Sequence, residues 1–92
     1  MNMNQLLKLE STLPLLETLD GLQKPHSFIR EGVLRISGEH GDNAIDYYGE
    51  YRGGYPYIDP KLEAWATKKK GYWEWENPGS IGFFKHPSLY RF

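Results

Sequence analysis

The run DPKLEAWATKKKGYWEWENPGSIGFFK, residues 59–85, carries the clearest structural signals in the chain. Asp59 is a fitting N-cap, because its carboxylate accepts from the free amides of a helix's first turn, and Pro60 suits the first helical position. Leu62, Trp65 and Ala66 then fall on one helical face. Lys68, Lys69 and Lys70 occupy the last turn, where cations complement the helix dipole, and Gly71 stops the helix. In Tyr72–Glu76, Trp73 and Trp75 alternate with Tyr72, Glu74 and Glu76, the period of a strand with one apolar face. Asn77-Pro-Gly-Ser80 has turn chemistry, and Ile81 to Lys85 returns as a second strand. This reads as a helix followed by a hairpin.

Upstream, Arg52-Gly-Gly-Tyr-Pro-Tyr-Ile58 reads as a loop, and Ala44 to Tyr51 as a strand in which Ile45 and Tyr47 alternate with Ala44, Asp46 and Tyr48. Gly38 to Asp42 is a turn. Phe28 to Ser37 is another strand, with Arg35 and Ser37 opposite Leu34 and Ile36. These two strands are expected to pair as an antiparallel hairpin. Towards the N-terminus, Leu6, Leu9, Leu13, Leu16 and Leu19 recur at helical spacing. Pro14 interrupts them, so the expectation is a helix over about residues 4–10 and a second one to Leu19, closed by Gly21, or a single kinked helix. The fold class is therefore α+β: N-terminal helix or helices, hairpin, helix, hairpin, with a mainly antiparallel sheet packed against the helices. Residues 1–92 are expected to form one small domain, in which 1–22 is a leucine-rich helical segment and 86–92 a tail, either docked or loose.

Ninety-two residues with 39% hydrophobic content make one core, and three tryptophans, seven tyrosines and four phenylalanines give it bulk. Eleven basic residues against twelve acidic ones, a net charge of −1, disfavour both a duplex-DNA binder and an acidic mimic of DNA. Without cysteine there is no disulfide framework, thiol nucleophile or cysteine metal site, which fits a reducing compartment. The leucines at the start are broken by Lys8 and Glu10 and follow no basic leader pattern, so the expected location is cytoplasmic, with no membrane span. Monomer and homodimer are both compatible with the leucine face.

No phosphate loop, dinucleotide fingerprint or serine elbow is present. Glu39-His40-Gly-Asp42 is the one metal-like cluster, and it lacks zinc-site spacing and reads as a solvated turn. Glu74 and Glu76 share one strand face, and Asp46 and Glu50 another, without an orienting partner that would make a catalytic pair. The expectation is a non-enzymatic module without a cofactor.

Two surfaces stand out. Tyr47-Tyr-Gly-Glu-Tyr-Arg-Gly-Gly-Tyr-Pro-Tyr57 mixes large, low-entropy tyrosine contacts with pliable glycine, as protein-recognition surfaces do. Its candidate contacts are Tyr48, Glu50, Tyr51, Arg52, Tyr55 and Tyr57, with Glu74 on the neighbouring sheet face, and a protein partner is the first expectation. Lys68, Lys69 and Lys70 beside Tyr72 form the alternative, a site for single-stranded nucleic acid in which ammonium groups meet phosphates and an aromatic stacks on a base. A third possibility is a small enzyme or ligand-binding domain whose aromatic pocket is lined by Trp73, Trp75 and Arg52.

Overall fold

A computed structural model describes residues 1–18, 21–38, 44–49 and 56–87. In chain order the elements are α1 (Met3–Ser11), β1 (Leu16–Thr18), β2 (Gly21–Gln23), β3 (Ser27–Arg30), β4 (Val33–Ser37), β5 (Ile45–Asp46), β6 (Tyr57–Ile58), α2 (Pro60–Lys68), β7 (Gly71–Asn77) and β8 (Ser80–Lys85). Every strand pairing is antiparallel, and the fold is α+β as the sequence predicts.

The principal sheet has the order β3-β4-β8-β7. Opposite residues on neighbouring strands share a face, so Ile29, Leu34, Ile36, Ile81, Phe83, Trp73 and Trp75 line one side. Both helices pack on that side: Leu6 of α1 and Leu62, Trp65 and Ala66 of α2 join Leu34, Ile36, Trp73, Ile81 and Phe83 in one buried cluster. Trp65 stacks on Trp73 with ring centroids 5.4 Å apart, and Phe83 meets Trp65 edge-on at 4.9 Å. The polar ends of the indoles are satisfied. Trp73 Nε1 donates to the Leu62 carbonyl at 2.8 Å, and Trp65 Nε1 donates to Thr12 Oγ1 at 3.1 Å.

The helix-and-hairpin reading of residues 59–85 matches the structure closely. Asp59 accepts from the Lys61 amide at 2.8 Å, and Gly79 donates to Asn77 Oδ1 in the turn at 2.8 Å. One detail differs. The residue that leaves the helix in the left-handed conformation is Lys70 (φ +62°), whereas Gly71 is already the first residue of β7. Gly71 is required for space: a Cβ there would enter the Phe83 ring and lie 2.5 Å from the Phe84 carbonyl oxygen.

Three expectations change. The second N-terminal helix is absent: α1 ends at Ser11, and residues 16–18 form a strand paired with residues 21–23. Pro14 and Gly21 (φ +101°) leave too few residues between them for a stable helix, and the glycine closes a hairpin in which Thr18 Oγ1 donates to the Gly21 carbonyl at 2.8 Å. The stretch 28–37 is two strands rather than one. Glu31 (φ 54°) and Gly32 (φ 73°) both have positive φ, making the tight turn whose twist suits a two-residue hairpin. Consequently β4 pairs with β3 and β8, and residues 45–46 pair instead with residues 57–58. Leu6, Leu13 and Leu16 are nonetheless buried, Leu13 and Leu16 from outside the helix. Leu19 lies outside the described residues, as do residues 88–92 of the C-terminal tail. Among the described residues no helix is long and apolar enough to cross a membrane.

Gly71→Ala should lower stability by about 1–3 kcal/mol through overpacking against Phe83 and the backbone of β8. Urea denaturation monitored by tryptophan fluorescence measures this, and Lys61→Ala on the exposed face of α2 should change it by less than about 0.5 kcal/mol.

Candidate functional site

The face of the principal sheet turned away from the helices combines aromatic and charged residues. One cross-strand row runs Phe28, Arg35, Gly82, Glu74, and a second places Tyr72 opposite Phe84. The Tyr72 ring lies 6.1 Å from that of Phe84 and 5.2 Å from that of His86, which extends the aromatic strip beyond the end of β8. The Arg30 guanidinium sits 5.4 Å from the centre of the Phe28 ring, within cation–π range. Tyr72 and Glu74 are exposed, and Phe28 and Phe84 are half-buried.

Arg35 anchors this face. Its side chain is 8% exposed and forms an ion pair with Glu76, while Nε and Nη2 donate to the Arg30 carbonyl at 3.3 and 3.2 Å. The pair crosses from β4 to β7 over the intervening β8, and Gly82 is the residue beneath it. A Cβ at Gly82 would stand 2.9 Å from Glu76 Oε1 and 3.2 Å from both Val33 and the Phe84 ring. The missing side chain thus makes room for the carboxylate and for the aromatic beside it. Arginine suits this role, because its planar fork donates to a carboxylate and a carbonyl together.

Of the residues expected to contact a protein partner, Glu74 lies on this face, while Tyr48 and Tyr57 belong to the neighbouring β5–β6 region. Tyr57 is half-buried opposite Asp46, and Tyr48 is 61% exposed. Tyr48 packs edge-on against Tyr47 with centroids 5.1 Å apart, and Tyr47 packs edge-on against Trp75, also at 5.1 Å. These rings form a ledge beside β7. Glu50, Tyr51, Arg52 and Tyr55 lie outside the described residues, as do Glu39, His40 and Asp42 of the metal-like turn.

The alternative set is divided. Lys68 and Lys70 are exposed and Lys69 half-buried at the end of α2, whereas Tyr72 stands on the far face with Phe84 and His86. Trp73 is a core residue, stacked on Trp65 and hydrogen-bonded to Leu62, and Trp75 is half-buried under Tyr47. Asp46 and Glu74 sit in different sheets. Among the described residues no three His, Asp or Glu side chains gather as metal ligands. Sequence reasoning missed Arg35, Gly82 and Phe84 as parts of one surface. The alternation in residues 33–37 places Arg35 opposite Leu34 and Ile36, but does not bring it to Glu76 or Gly82.

Comparison with protein-family models, with curated proteins and with solved structures finds no match for this chain. The geometry of the site is therefore the basis for its function.

Removing one member of the Arg35–Glu76 pair leaves the other without its counter-charge. Glu76→Gln should destabilise the fold by about 1–3 kcal/mol in urea denaturation. The double variant Arg35→Met with Glu76→Gln should lose less than the sum of the two single losses, which a double-mutant cycle measures.

Proposed function

We propose that this chain is a non-enzymatic interaction module that binds a protein partner through the outer face of its principal sheet and the tyrosine- and glycine-rich segment from Tyr48 to Tyr57. The observation that carries this reading is the strip of Phe28, Phe84, Tyr72 and His86 on the sheet face opposite both helices. Antiparallel sheets commonly turn a polar face to water, whereas this one presents rings with charges among them. Aromatic residues flanked by arginine and carboxylate groups are the composition of binding hot spots and their polar rims.

Pre-organisation supports the same reading. The Arg35–Glu76 pair and the Arg30 carbonyl tie three strands together, so little order has to be gained on docking. Tyr48 on its ledge adds an exposed ring next to Tyr47, and the tyrosine- and glycine-rich composition of residues 51–57 fits the same role. Arg30 and Glu74 supply opposite charges at the margins, which favour a partner carrying both signs.

The test is photo-crosslinking with benzoylphenylalanine at position 72, 74 or 48, followed by binding measurements on the captured protein. Tyr72→Ala is expected to weaken that binding about thirtyfold, the effect of losing roughly 2 kcal/mol at a hot spot, with urea stability changed by less than about 0.5 kcal/mol. Tyr55→Ala and Arg52→Ala are expected to weaken it as well. Full binding by folded variants at all three positions would refute the assignment.

A further inference from the structure

On the helix side of the sheet, opposite the strip of rings, a cleft of about 250 Å³ lies between α1, the end of α2 and the end of β8. Met1, Gln5, Lys8, Leu9 and Thr12 supply one wall at the spacing of a single helix face, and Lys69 and Lys85 supply the other. Three lysines from distant parts of the chain therefore line one small space, and among the described residues no carboxylate lines it. Of the other described cations, Arg35 pairs with Glu76, Arg30 lies over Phe28 and Lys24 Nζ donates to the Ser11 carbonyl at 2.8 Å, whereas Lys61, Lys68 and Lys70 stand exposed and apart from the cleft. Lys8, Lys69 and Lys85 have no such partner among the described residues.

Helix-end electrostatics explains only part of this. Lys8 lies in the last turn of α1 and Lys69 is the C-cap of α2, where a positive charge is favoured. It does not explain why the two ends converge, or why Lys85, at the end of a strand, joins them. Bringing three like charges to one cleft in a chain of net charge −1 raises their mutual energy, and a bound anion lowers it.

We propose that this cleft binds a phosphate group. Lysine meets phosphate as a compact point charge, whereas planar carboxylates are better matched by the arginine fork, and among the described residues no arginine lines the cleft. Three cations suit a group carrying two or more negative charges. The volume is below that of a typical drug-sized pocket, which fits one phosphate or diphosphate and leaves the rest of the ligand outside. Gln5 contributes the remaining donor: its Oε1 accepts from the Asn2 amide at 2.9 Å, which leaves its amide NH₂ for the ligand. Thr12 forms wall only, because its hydroxyl already donates to the Leu9 carbonyl at 2.8 Å and accepts from Trp65. The phosphate could belong to a small metabolite or to the end of a nucleic-acid strand, and the two sources share this chemistry.

The experiment is a titration of the isotopically labelled full chain with inorganic pyrophosphate at low salt, followed through backbone amide shifts. Saturable shifts at Gln5, Lys8, Lys69 and Lys85 are expected, and Lys69→Gln with Lys85→Gln should weaken the affinity at least about tenfold. Lys61→Gln, at the opposite end of α2, should leave it unchanged. Parallel titrations with a nucleoside monophosphate and a 5′-phosphorylated oligonucleotide distinguish the sources: tighter binding and a steeper salt dependence for the oligonucleotide point to nucleic acid, and equal or tighter binding of the monophosphate points to a metabolite. Absence of saturable shifts, or equal affinity in the folded double variant and the parent, overturns the proposal.

Discussion

Contact between the indoles of Trp65 and Trp73 is the interaction on which the rest of the structure depends. It joins α2 to β7, and both rings reach further. Trp73 donates to the carbonyl of Leu62 inside α2, and Trp65 donates to Thr12, the residue that caps α1. Two helices and the sheet are thereby tied through two side chains whose apolar area drives burial and whose nitrogens both have acceptors, that of Trp73 within the core and that of Trp65 at its edge. In a domain this small few other contacts could replace them, because the core amounts to a handful of large residues. Gly71 belongs to the same arrangement, since its missing side chain lets the Phe83 ring complete the cluster.

That arrangement concentrates packing on one side of the sheet and leaves the other to different rules. There the organising element is a charge pair over a glycine, with rings on either side of it. The two faces are built by opposite uses of glycine. At Gly71 the space is filled by an aromatic ring, and at Gly82 it is crossed by the Arg35–Glu76 pair.

The part of the fold legible in the sequence is the part encoded locally. Residues 59–85 announce a cap, an apolar stripe, an alternating strand and a turn, all within a few positions of one another. The β3–β4 turn was harder to read, because Glu31 occupies a positive-φ position usually given to asparagine, aspartate or glycine. The helical spacing of the leucines misleads past Ser11, because Leu13 and Leu16 reach the core from beyond the helix, where burial and not periodicity sets their place. At the surface, Tyr48, Tyr72 and Glu74 could be picked out one at a time. Their grouping with Phe84 and Arg35 depends on register between β4, β8 and β7, which residue spacing alone does not give. The lysine cleft was hidden for the same reason, its members standing at positions 8, 69 and 85.

The pairing of β4 with β8 has a kinetic consequence. β3–β4 and β7–β8 are each closed by a short turn, so they belong to the class of hairpins that form in about 1–10 microseconds. The seam between them aligns Ile36 with Ile81, residues 45 positions apart, and only three registered pairs hold it. Its closure carries the chain-entropy cost of a long loop, whereas the hairpins close almost for free by comparison. The sheet is therefore two quickly formed halves waiting on one slow join, and the aromatic face and its bridging ion pair come into existence only when that join is made.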